Sequence, residues 1–361
     1  MEKRPDIFLL LCFFLLLLFG ILAISTSSAP FSQTKFGDSF YYVKRQIILG
    51  LIPGFIVFLF FYKMNLNYLK RYSIFFILTC LFLTVLVFVP DIGVKIKGGA
   101  RWIDLGPITF QPSEFLKLAF ITYLASWLHS KIGKEKDFSK AFFVFLLILT
   151  ILSLILLSQP DMSTLLVILS SAILMFFISR TPLRQTIFIL LLLLLVLIPL
   201  IKYFPYRLVR ILTFLNPDMD PLGVSYQINQ SLIAVGSGGL FGKGLGLSEQ
   251  KMGFLPLSFS DTIFSIFAEE MGFLGSVFLI SLYLLLFFRS YKIGIKEKDE
   301  FRKLLCFGIS FWFYIQFFVN IGSMIGILPL TGIPLPFISY GGSHLIAEMG
   351  AMGILLNISK K

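Results

Sequence analysis

The chain has 361 residues, of which 57% are hydrophobic and only 14% are charged, and its formal net charge is +12. Soluble domains carry about 25% charged residues, so this composition excludes a water-soluble fold and predicts a single membrane domain over residues 1–361. In membrane proteins Lys and Arg serve first as topology signals, so the positive charge does not indicate a nucleic-acid partner.

Ten apolar segments follow one another along the chain, each close to the roughly 17 to 25 residues that a helix needs to cross a bilayer. They predict an all-α polytopic membrane protein of ten transmembrane helices. The first segment follows two basic residues and is long enough to span, so we interpret it as an uncleaved helix and not as a signal peptide. The predicted spans are 7–25, 46–62, 73–90, 113–129, 141–157, 163–179, 186–202, 262–288, 304–325 and 340–357.

The basic residues set the predicted orientation. Placing both termini in the cytoplasm puts most Lys and Arg into cytoplasmic segments, as the positive-inside rule requires. The connection between the seventh and eighth spans then becomes a large extracytoplasmic loop. We expect the polar chemistry on this outer face, because three outer segments are rich in Gly, Pro and polar residues: 91–114, 203–261 and 326–343.

The first outer segment contains Arg101 and leads into Gln111-Pro112-Ser113-Glu114. This pattern predicts a helix start with a carboxylate in the first turn, where unpaired amides favour it. Lys117 lies three residues further on the same helical face. Two interpretations stay open: Glu114 and Lys117 form a neutralised ion pair near the membrane surface, or they bind an anionic headgroup.

Asp161 lies in a short outer turn, Gln159-Pro160-Asp161, which opens the sixth span. Its position before an apolar helix is typical of an N-cap. The alternative is that its carboxylate belongs to a binding site on the outer face.

The long outer loop carries two arginines, Arg207 and Arg210, and then the segment Tyr226 to Ser231. In that segment Tyr226 and Gln230 are four residues apart, as are Gln227 and Ser231, which is helical spacing. The predicted helix has a polar face suited to sugar hydroxyls or phosphate.

A glycine-rich stretch, Gly236 to Gly246, follows and contains Lys243. Glycines at this density permit positive φ angles and close backbone approach, so the amides could cradle a phosphate. The stretch has no Gly-Lys-Ser/Thr pattern of a Walker loop, and a flexible hinge is an equally open interpretation.

Asp261 stands at the outer start of the eighth span, and Ser265 and Glu269 would continue its helical stripe at i+4 and i+8. One interpretation is an N-cap or first-turn acid. The other is a functional carboxylate, because an acid inside a membrane is costly unless it is used or paired. Glu270, about 100° further round, is predicted to face a neighbouring helix.

The last outer segment, Leu330 to Ser343, contains two prolines two residues apart and a pair of glycines. These residues forbid a regular helix and permit a tight turn. Irregular backbone at the membrane edge persists only where it is buried in protein or lines a wet cavity.

Residues 40 to 357 resemble the SEDS family (shape, elongation, division and sporulation), which includes FtsW, RodA and SpoVE. The resemblance rests on Pro336-Phe337-Ile338-Ser339-Tyr340-Gly341-Gly342-Ser343, on Tyr226-Gln227 with Gln230-Ser231, and on Gln111-Pro112-Ser113-Glu114. The branch of FtsW and SpoVE is more similar than RodA in three stretches: Phe40 to Gln46, Pro205 to Arg207 and Phe214 to Pro217.

The resemblance implies a peptidoglycan glycosyltransferase for cell division or elongation. Such an enzyme polymerises lipid II on the outer face of the bacterial cytoplasmic membrane and releases undecaprenyl pyrophosphate with inversion. Its implied partners are lipid II, a class B penicillin-binding protein and other divisome or elongasome membrane proteins. The implied cofactor is at most a divalent cation, Mg²⁺ or Mn²⁺, held by carboxylates.

The resemblance places the essential acid of the family at Asp261, as general base on the acceptor hydroxyl. The usual Pro-Glu-x-His-Thr run before that acid is replaced here by Pro256-Leu257-Ser258-Phe259-Ser260, and Thr262 follows it. His344 and Glu348 replace the usual Ser and Asn of the last span, and their spacing permits an i,i+4 pair. The predicted substrate-binding residues are Arg101, Glu114, Lys117, Asp161, Arg207, Arg210, Gln227, Gln230, Ser231, Lys243, Ser339 and Tyr340; no metal ligand is assigned.

Two other functions stay open from the sequence. A polar cavity among helices could flip a lipid-linked precursor across the membrane, or the protein could act as a non-catalytic scaffold for division or elongation proteins. Synthesis of glycan strands in detergent separates these functions, because a flippase makes none and a scaffold does not need Asp261.

Overall fold

The described part of the chain folds mostly into helices, many of them apolar. The computed structural model describes residues 4–96, 99–106, 108–131, 138–179, 187–189, 191, 205–216, 223, 225–256 and 258–360. The helices in chain order are α1 (Ile7–Phe36), α2 (Tyr41–Lys63), α3 (Leu66–Arg71), α4 (Ser73–Leu86), α5 (Pro112–Lys131), α6 (Phe138–Ser158), α7 (Met162–Ile178), α8 (Pro205–Leu215), α9 (Tyr226–Ser237), α10 (Ile263–Lys296), α11 (Glu300–Met324) and α12 (Gly342–Ser359).

Each predicted span except one coincides with a helix. The exception, 186–202, falls almost entirely outside the described residues. By length and hydropathy, α1, α2, α10 and α11 are each able to cross a membrane, and shorter apolar helices occur at Ser73–Leu86, Phe142–Ser158 and Met162–Ile178. Several apolar helices of this kind are the architecture of a polytopic membrane protein.

The first helix is longer than the sequence predicts. The apolar run ends near residue 25, but α1 continues to Phe36 and ends at Gly37, which has a φ of +69°. The hydroxyls of the polar residues in between bond to carbonyls of the preceding turn, as from Ser27 Oγ to Ala23 O at 2.6 Å. Such back-bonding satisfies a hydroxyl inside a helix, although it slightly weakens the helix.

A small antiparallel sheet corrects the all-α prediction. It consists of β1 (Gly93–Ile96), β2 (Gly99–Asp104) and β3 (Thr109–Phe110), in the order β1-β2-β3. Gly93 pairs with Ile103, and Ile103 pairs in turn with Phe110. The alternation of apolar and polar residues in these short stretches was the available signal for strands.

The two termini meet at one end of the helix bundle, which we call the terminal end. Asp6 caps α1 by accepting from Leu9 N at 3.0 Å, and its own N–H donates to Ser359 Oγ at 3.0 Å. The Asp6 carboxylate also pairs with Arg289 near the end of α10. The start of α1 and the ends of α10 and α12 therefore lie together.

The opposite end, which we call the loop-rich end, carries the small sheet, residues 238–262 and residues 325–341. The starts of α5 and α12 meet there, because Gln111 N donates to Ser343 Oγ at 3.0 Å. Beneath it, α12 packs against α2 so closely that a Cβ on Gly353 would lie 2.5 Å from Phe58 O. Small residues at helix crossings let membrane helices approach in this way.

Candidate functional site

Asp261 lies on a short segment before α10 and not on the helix. Thr262 occupies the N-cap position of α10 without a side-chain cap bond, so the interpretation of Asp261 as N-cap or first-turn acid is wrong. The helical stripe predicted from Asp261 through Ser265 to Glu269 is wrong for the same reason. The Asp261 side chain is partly exposed, and its Oδ1 accepts from Ser260 Oγ at 2.9 Å.

A turn rich in proline holds the segment that bears Asp261. This Pro-rich turn, residues 330–341, donates from Tyr340 N to Phe259 O at 3.0 Å and from Ser339 Oγ to Ser260 O at 2.8 Å. A Cβ on Gly332 would lie 3.5 Å from Asp261 Oδ2. The irregular backbone predicted here is therefore the surface against which the Asp261 carboxylate lies.

Asn320, which was not among the predicted site residues, ties these two segments together from within the bundle. Its Nδ2 donates to Asp261 O at 2.9 Å and to Ile333 O at 2.7 Å. The signal was an amide inside the predicted span 304–325, because polar groups inside membrane helices are costly and pair with one another or with backbone carbonyls.

Two predicted binding residues, Ser339 and Tyr340, take part in the framework of the turn. The Ser339 hydroxyl is buried, accepts from Leu335 N at 2.8 Å and donates to Ser260 O. The Tyr340 ring packs edge-on against Tyr42, with 5.1 Å between ring centroids. Their role toward a substrate stays a prediction.

Asp161 caps α7, which confirms the structural interpretation of that residue. Its Oδ1 accepts from Thr164 N at 3.3 Å, and its Oδ2 accepts from Ser113 Oγ at 2.7 Å and from Thr164 Oγ1 at 2.9 Å. Arg101 on β2 reaches the same turn and donates to Gln159 O at 3.1 Å. Asp161 and Arg101 thereby join α5, α7 and the small sheet.

Glu114 and Lys117 form an ion pair of 2.7 Å, and their side chains are only 7% and 2% exposed. The ion-pair interpretation is confirmed, but the pair is buried inside the bundle and does not lie at a surface. The Lys117 ammonium also lies 5.1 Å from the centroid of the Trp312 ring, a cation–π distance. The positive charge is thus compensated on two sides.

A cavity of about 320 Å³ opens beside the Pro-rich turn. Arg210 lies in its wall and donates from Nη1 to Leu330 O at 2.9 Å. The polar face of α9 contributes Gln227, as the helical spacing predicted. The described lining consists of Arg210, Thr213, Phe214, Gly223, Tyr226, Gln227, Ile228, Pro256 and Leu330.

Asp261 lies near the cavity, because the residue that follows it is hydrogen-bonded to the cavity wall. Asp261 is absent from the described lining, but Thr262 Oγ1 donates to Pro256 O in the cavity wall at 3.0 Å. Two other predicted residues of α9 lie away from the described lining: Ser231 is buried and donates to Gln227 O at 2.8 Å, and Gln230 is partly exposed. The Arg207 side chain lies outside the described part of the chain.

The glycine-rich loop packs on a kink in α10. Gly272 interrupts the helix with φ +68° and ψ −166°, which leaves neighbouring carbonyls and amides without helical partners. The loop supplies them, because Lys243 N donates to Glu269 O at 3.0 Å and Gly244 N to Glu270 O at 3.1 Å, while Phe273 N donates to Gly239 O at 2.8 Å. The amides of Lys243 and Gly244 are therefore not available to a phosphate, and the loop is bonded to α10 and is not a free hinge.

The close approach of loop and helix requires glycine at Gly242. A Cβ there would lie 2.1 Å from Glu270 O, and its φ is +83°. Gly246 has nearly the same φ, +81°, but a Cβ added there would meet no atom within 4 Å. Alanine substitutions at these two positions therefore separate the free-energy cost of a clash from the free-energy cost of a positive φ.

We expect Gly242→Ala to lower the melting temperature of the purified protein far more than Gly246→Ala. A left-handed φ alone costs an alanine of the order of 1 kcal/mol, whereas the clash at Gly242 also displaces the backbone of α10. Thermal unfolding in detergent measures the difference. Equal melting temperatures for the two variants would show that the loop does not lock onto the kink.

Two adjacent acids of α10 are each neutralised by a lysine of the same loop. Glu269 is fully buried and pairs with Lys243 at 2.8 Å, while Glu270 pairs with Lys251 at 2.7 Å. Glu269 also accepts from Ser248 Oγ. The hydrogen bond to Glu269 raises the pKa of Lys243 above its usual value. Both lysines thus hold the loop, and the predicted contact of Lys243 with substrate remains untested.

Among the described residues, no three His, Cys, Asp or Glu side chains come together as metal ligands would. The divalent cation held by carboxylates that the resemblance implies stays a prediction.

Comparison with known proteins decides the family. A family model described as "Cell cycle protein" (FTSW_RODA_SPOVE) matches residues 6–361. The chain belongs to this family. The resemblance drawn from the Pro-rich turn, the polar helix and the Gln-Pro-Ser-Glu motif is thereby confirmed.

Similar members of the family cover almost the whole chain. Stage V sporulation protein E of Bacillus subtilis (strain 168) is 40% identical over 361 residues, which are 99% of this chain and 98% of that protein. A protein named "Probable peptidoglycan glycosyltransferase FtsW" from Geobacter sp. (strain M18) is 40% identical over 356 residues, with 99% and 97% of the chains covered.

Solved structures of the family share the fold. One, described as a peptidoglycan synthase complex that coordinates polymerization and crosslinking, superposes with a TM-score of 0.79 at 27% identity, over 98% of this chain and 97% of that chain. The rod shape determining protein RodA of Thermus thermophilus superposes with a TM-score of 0.69 at 26% identity, over 98% and 96% of the chains. Among these proteins, identity is higher to FtsW and SpoVE than to RodA, as the sequence stretches indicated.

Proposed function

We propose that this protein is a peptidoglycan glycosyltransferase that polymerises lipid II into glycan strands. The observation that carries the proposal is the 40% identity, over 99% of the chain, to a protein named peptidoglycan glycosyltransferase FtsW. The geometry supports it, because a partly exposed carboxylate, Asp261, lies at the loop-rich end beside a cavity that contains Arg210 and Gln227.

In the proposed reaction, Asp261 accepts the proton of the acceptor sugar hydroxyl as that oxygen attacks the anomeric carbon of the donor. The bond from that carbon to the pyrophosphate breaks with inversion, and undecaprenyl pyrophosphate leaves with its electron pair. A general base must reach the proton it removes, and the fixed turn beneath Asp261 supports such placement. Arg210 is positioned to offset pyrophosphate charge in the cavity.

The other predicted binding residues have different roles in this proposal. Gln227 joins Arg210 in contacting the substrate. Arg101, Glu114, Lys117, Asp161, Ser231, Lys243, Ser339 and Tyr340 act through the frame that their internal bonds build, while Arg207 and Gln230 stay predictions from the sequence.

We place the protein in the bacterial cytoplasmic membrane with ten spans, both termini in the cytoplasm and the loop-rich end outside. The meeting of both termini at one end supports an even number of crossings.

Cysteine labelling tests this orientation, because the native cysteines Cys12, Cys80 and Cys306 are buried. An impermeant maleimide should label Phe241→Cys on intact cells and should not label Lys298→Cys; the reverse result contradicts the orientation.

A class B penicillin-binding protein is the proposed partner, with other divisome or elongasome membrane proteins around it. The similarity to the solved peptidoglycan synthase complex, at a TM-score of 0.79, supports this. The test of function is therefore also run with this partner present.

The test of function is polymerisation by the purified protein in detergent with lipid II alone. We expect glycan strands on a gel and release of undecaprenyl pyrophosphate, without a membrane to cross. The same reaction is run with the penicillin-binding protein encoded by the same organism, and with and without EDTA. No strands under any of these conditions would contradict the proposal and would favour a flippase or a scaffold.

A further inference from the structure

Glu348 is a buried carboxylate near the start of α12 that the reaction above does not use. Its side chain is fully buried, and its Oε2 accepts from Phe337 N at 2.8 Å. The other oxygen, Oε1, has no hydrogen-bond partner among the described residues. Burying a carboxylate is costly, so this contact with Phe337 calls for a physical role.

The peptide bond that Glu348 contacts is held from both sides. Glu348 accepts the N–H of the Pro336–Phe337 peptide, and the Tyr283 hydroxyl donates to the carbonyl of the same peptide. Phe337 has a φ of +64°, which residues with side chains rarely adopt. Because Pro336 has no N–H of its own, the Phe337 amide is the donor available at this point of the Pro-rich turn.

The Pro336–Phe337 peptide lies within the Pro-rich turn, which holds the segment that bears Asp261. Two residues beyond it, Ser339 donates to Ser260 O at 2.8 Å, and Tyr340 N donates to Phe259 O at 3.0 Å. On its other side, Ile333 shares the Asn320 amide with Asp261 O. A change in the conformation of the peptide would therefore be transmitted to the Asp261 backbone from two directions.

We propose that Glu348 is a positioning residue for Asp261. With Tyr283, it fixes the Pro336–Phe337 peptide and so sets the shape of the Pro-rich turn against which the Asp261 carboxylate lies. The expected change in kcat rests on the proposed function. The expected change in the Pro-rich turn and in the segment that bears Asp261 rests on the geometry alone.

The experiment compares Glu348→Met, which removes the acceptor at similar length, with Glu348→Gln, which keeps an acceptor oxygen. We expect Glu348→Met to lower kcat for polymerisation by about tenfold, since small displacements of a reacting group cost that much or more. KM for lipid II should change by less than about twofold, because Arg210 and Gln227, the proposed substrate contacts, lie on α8 and α9 and not on the Pro-rich turn. Glu348→Gln should restore most of kcat.

Amide hydrogen exchange supplies a readout that does not depend on activity. In Glu348→Met, exchange should accelerate in residues 331–341 and also in residues 258–262. The matched control is Asn357→Leu in the same helix, whose amide donates to Phe61 O at 2.8 Å and Met64 O at 2.7 Å at the terminal end. That variant should lose stability without a change in kcat or in exchange at 258–262.

If Glu348→Met does not fold, Tyr283→Phe tests the same inference. It removes only the hydroxyl that donates to the carbonyl of the Pro336–Phe337 peptide. It should lower kcat in the same direction, and the double variant should lose less than the product of the two effects. Wild-type kcat and wild-type exchange at 258–262 in a folded Glu348→Met or Tyr283→Phe protein overturn the inference. If the wild type makes no polymer while exchange at 258–262 still accelerates, the proposed function fails and the positioning stands.

Discussion

Asp261→Asn should strongly reduce polymerisation by the purified protein. An asparagine keeps the size and the hydrogen bond from Ser260 but does not accept a proton, and general-base catalysis contributes roughly 10²- to 10⁴-fold. We therefore expect a loss of kcat in that range with little change in the melting temperature, because the backbone contacts of Asp261 O with Asn320 remain. Strand formation from lipid II in detergent measures the effect.

The control for that experiment is another acid at the same end of the molecule. Asp104 is exposed at the end of β2 and accepts from Gly106 N at 2.8 Å. Asp104→Asn removes the same charge without touching the Pro-rich turn, so its activity should equal that of the wild type. Undiminished polymer from Asp261→Asn would remove Asp261 from the reaction.

Lys117→Met should cause a large loss of stability. Removing one partner of a buried ion pair leaves the other charge uncompensated, which costs about 3 to 5 kcal/mol. Glu114 would then be a lone carboxylate within the bundle, with its side chain 7% exposed. Combining the change with Glu114→Gln removes that charge as well, so the double variant should recover most of the lost melting temperature.

A second ion pair with the same spacing along its helix provides the control. Lys303 and Glu300 are also three residues apart, but their side chains are 23% and 43% exposed and their charged atoms lie 3.3 Å apart. Lys303→Met should change the free energy of unfolding by less than about 1 kcal/mol, as for surface pairs generally. A Lys117→Met protein as stable as Lys303→Met would show that the buried pair does not support the fold.

The helices were predictable because lipid imposes a simple constraint. Every backbone group that crosses the hydrocarbon must be bonded within its own segment, so apolar length alone located α5, α7 and α11 to within a few residues. The same constraint does not apply outside the hydrocarbon. That is why the end of α1 and the small sheet, which lie outside the predicted apolar segments, escaped the prediction.

The candidate site was predictable in composition and not in geometry. Residue types identified Asp261 and the Pro-rich turn, but their contact joins segments about 70 residues apart, and the amide that links them belongs to Asn320. Helical periodicity misplaced Asp261 because it assumed that the helix begins at or before the acid. Glu269 was predicted to lie on one helical stripe with Asp261, yet the structure pairs it with Lys243, because the preceding glycine-rich loop packs on the kink of α10.

The joining of Asp6 with Ser359 and Arg289 has a consequence for how the protein is made. The first helix is synthesised long before the residue that receives the Asp6 N–H, and α10 with Arg289 also comes late in the chain. The contact of Asp6 with Ser359 can therefore form only after α12 has been synthesised, although the cap from Asp6 to Leu9 forms locally. Until then α1 and α12 are not joined at the terminal end.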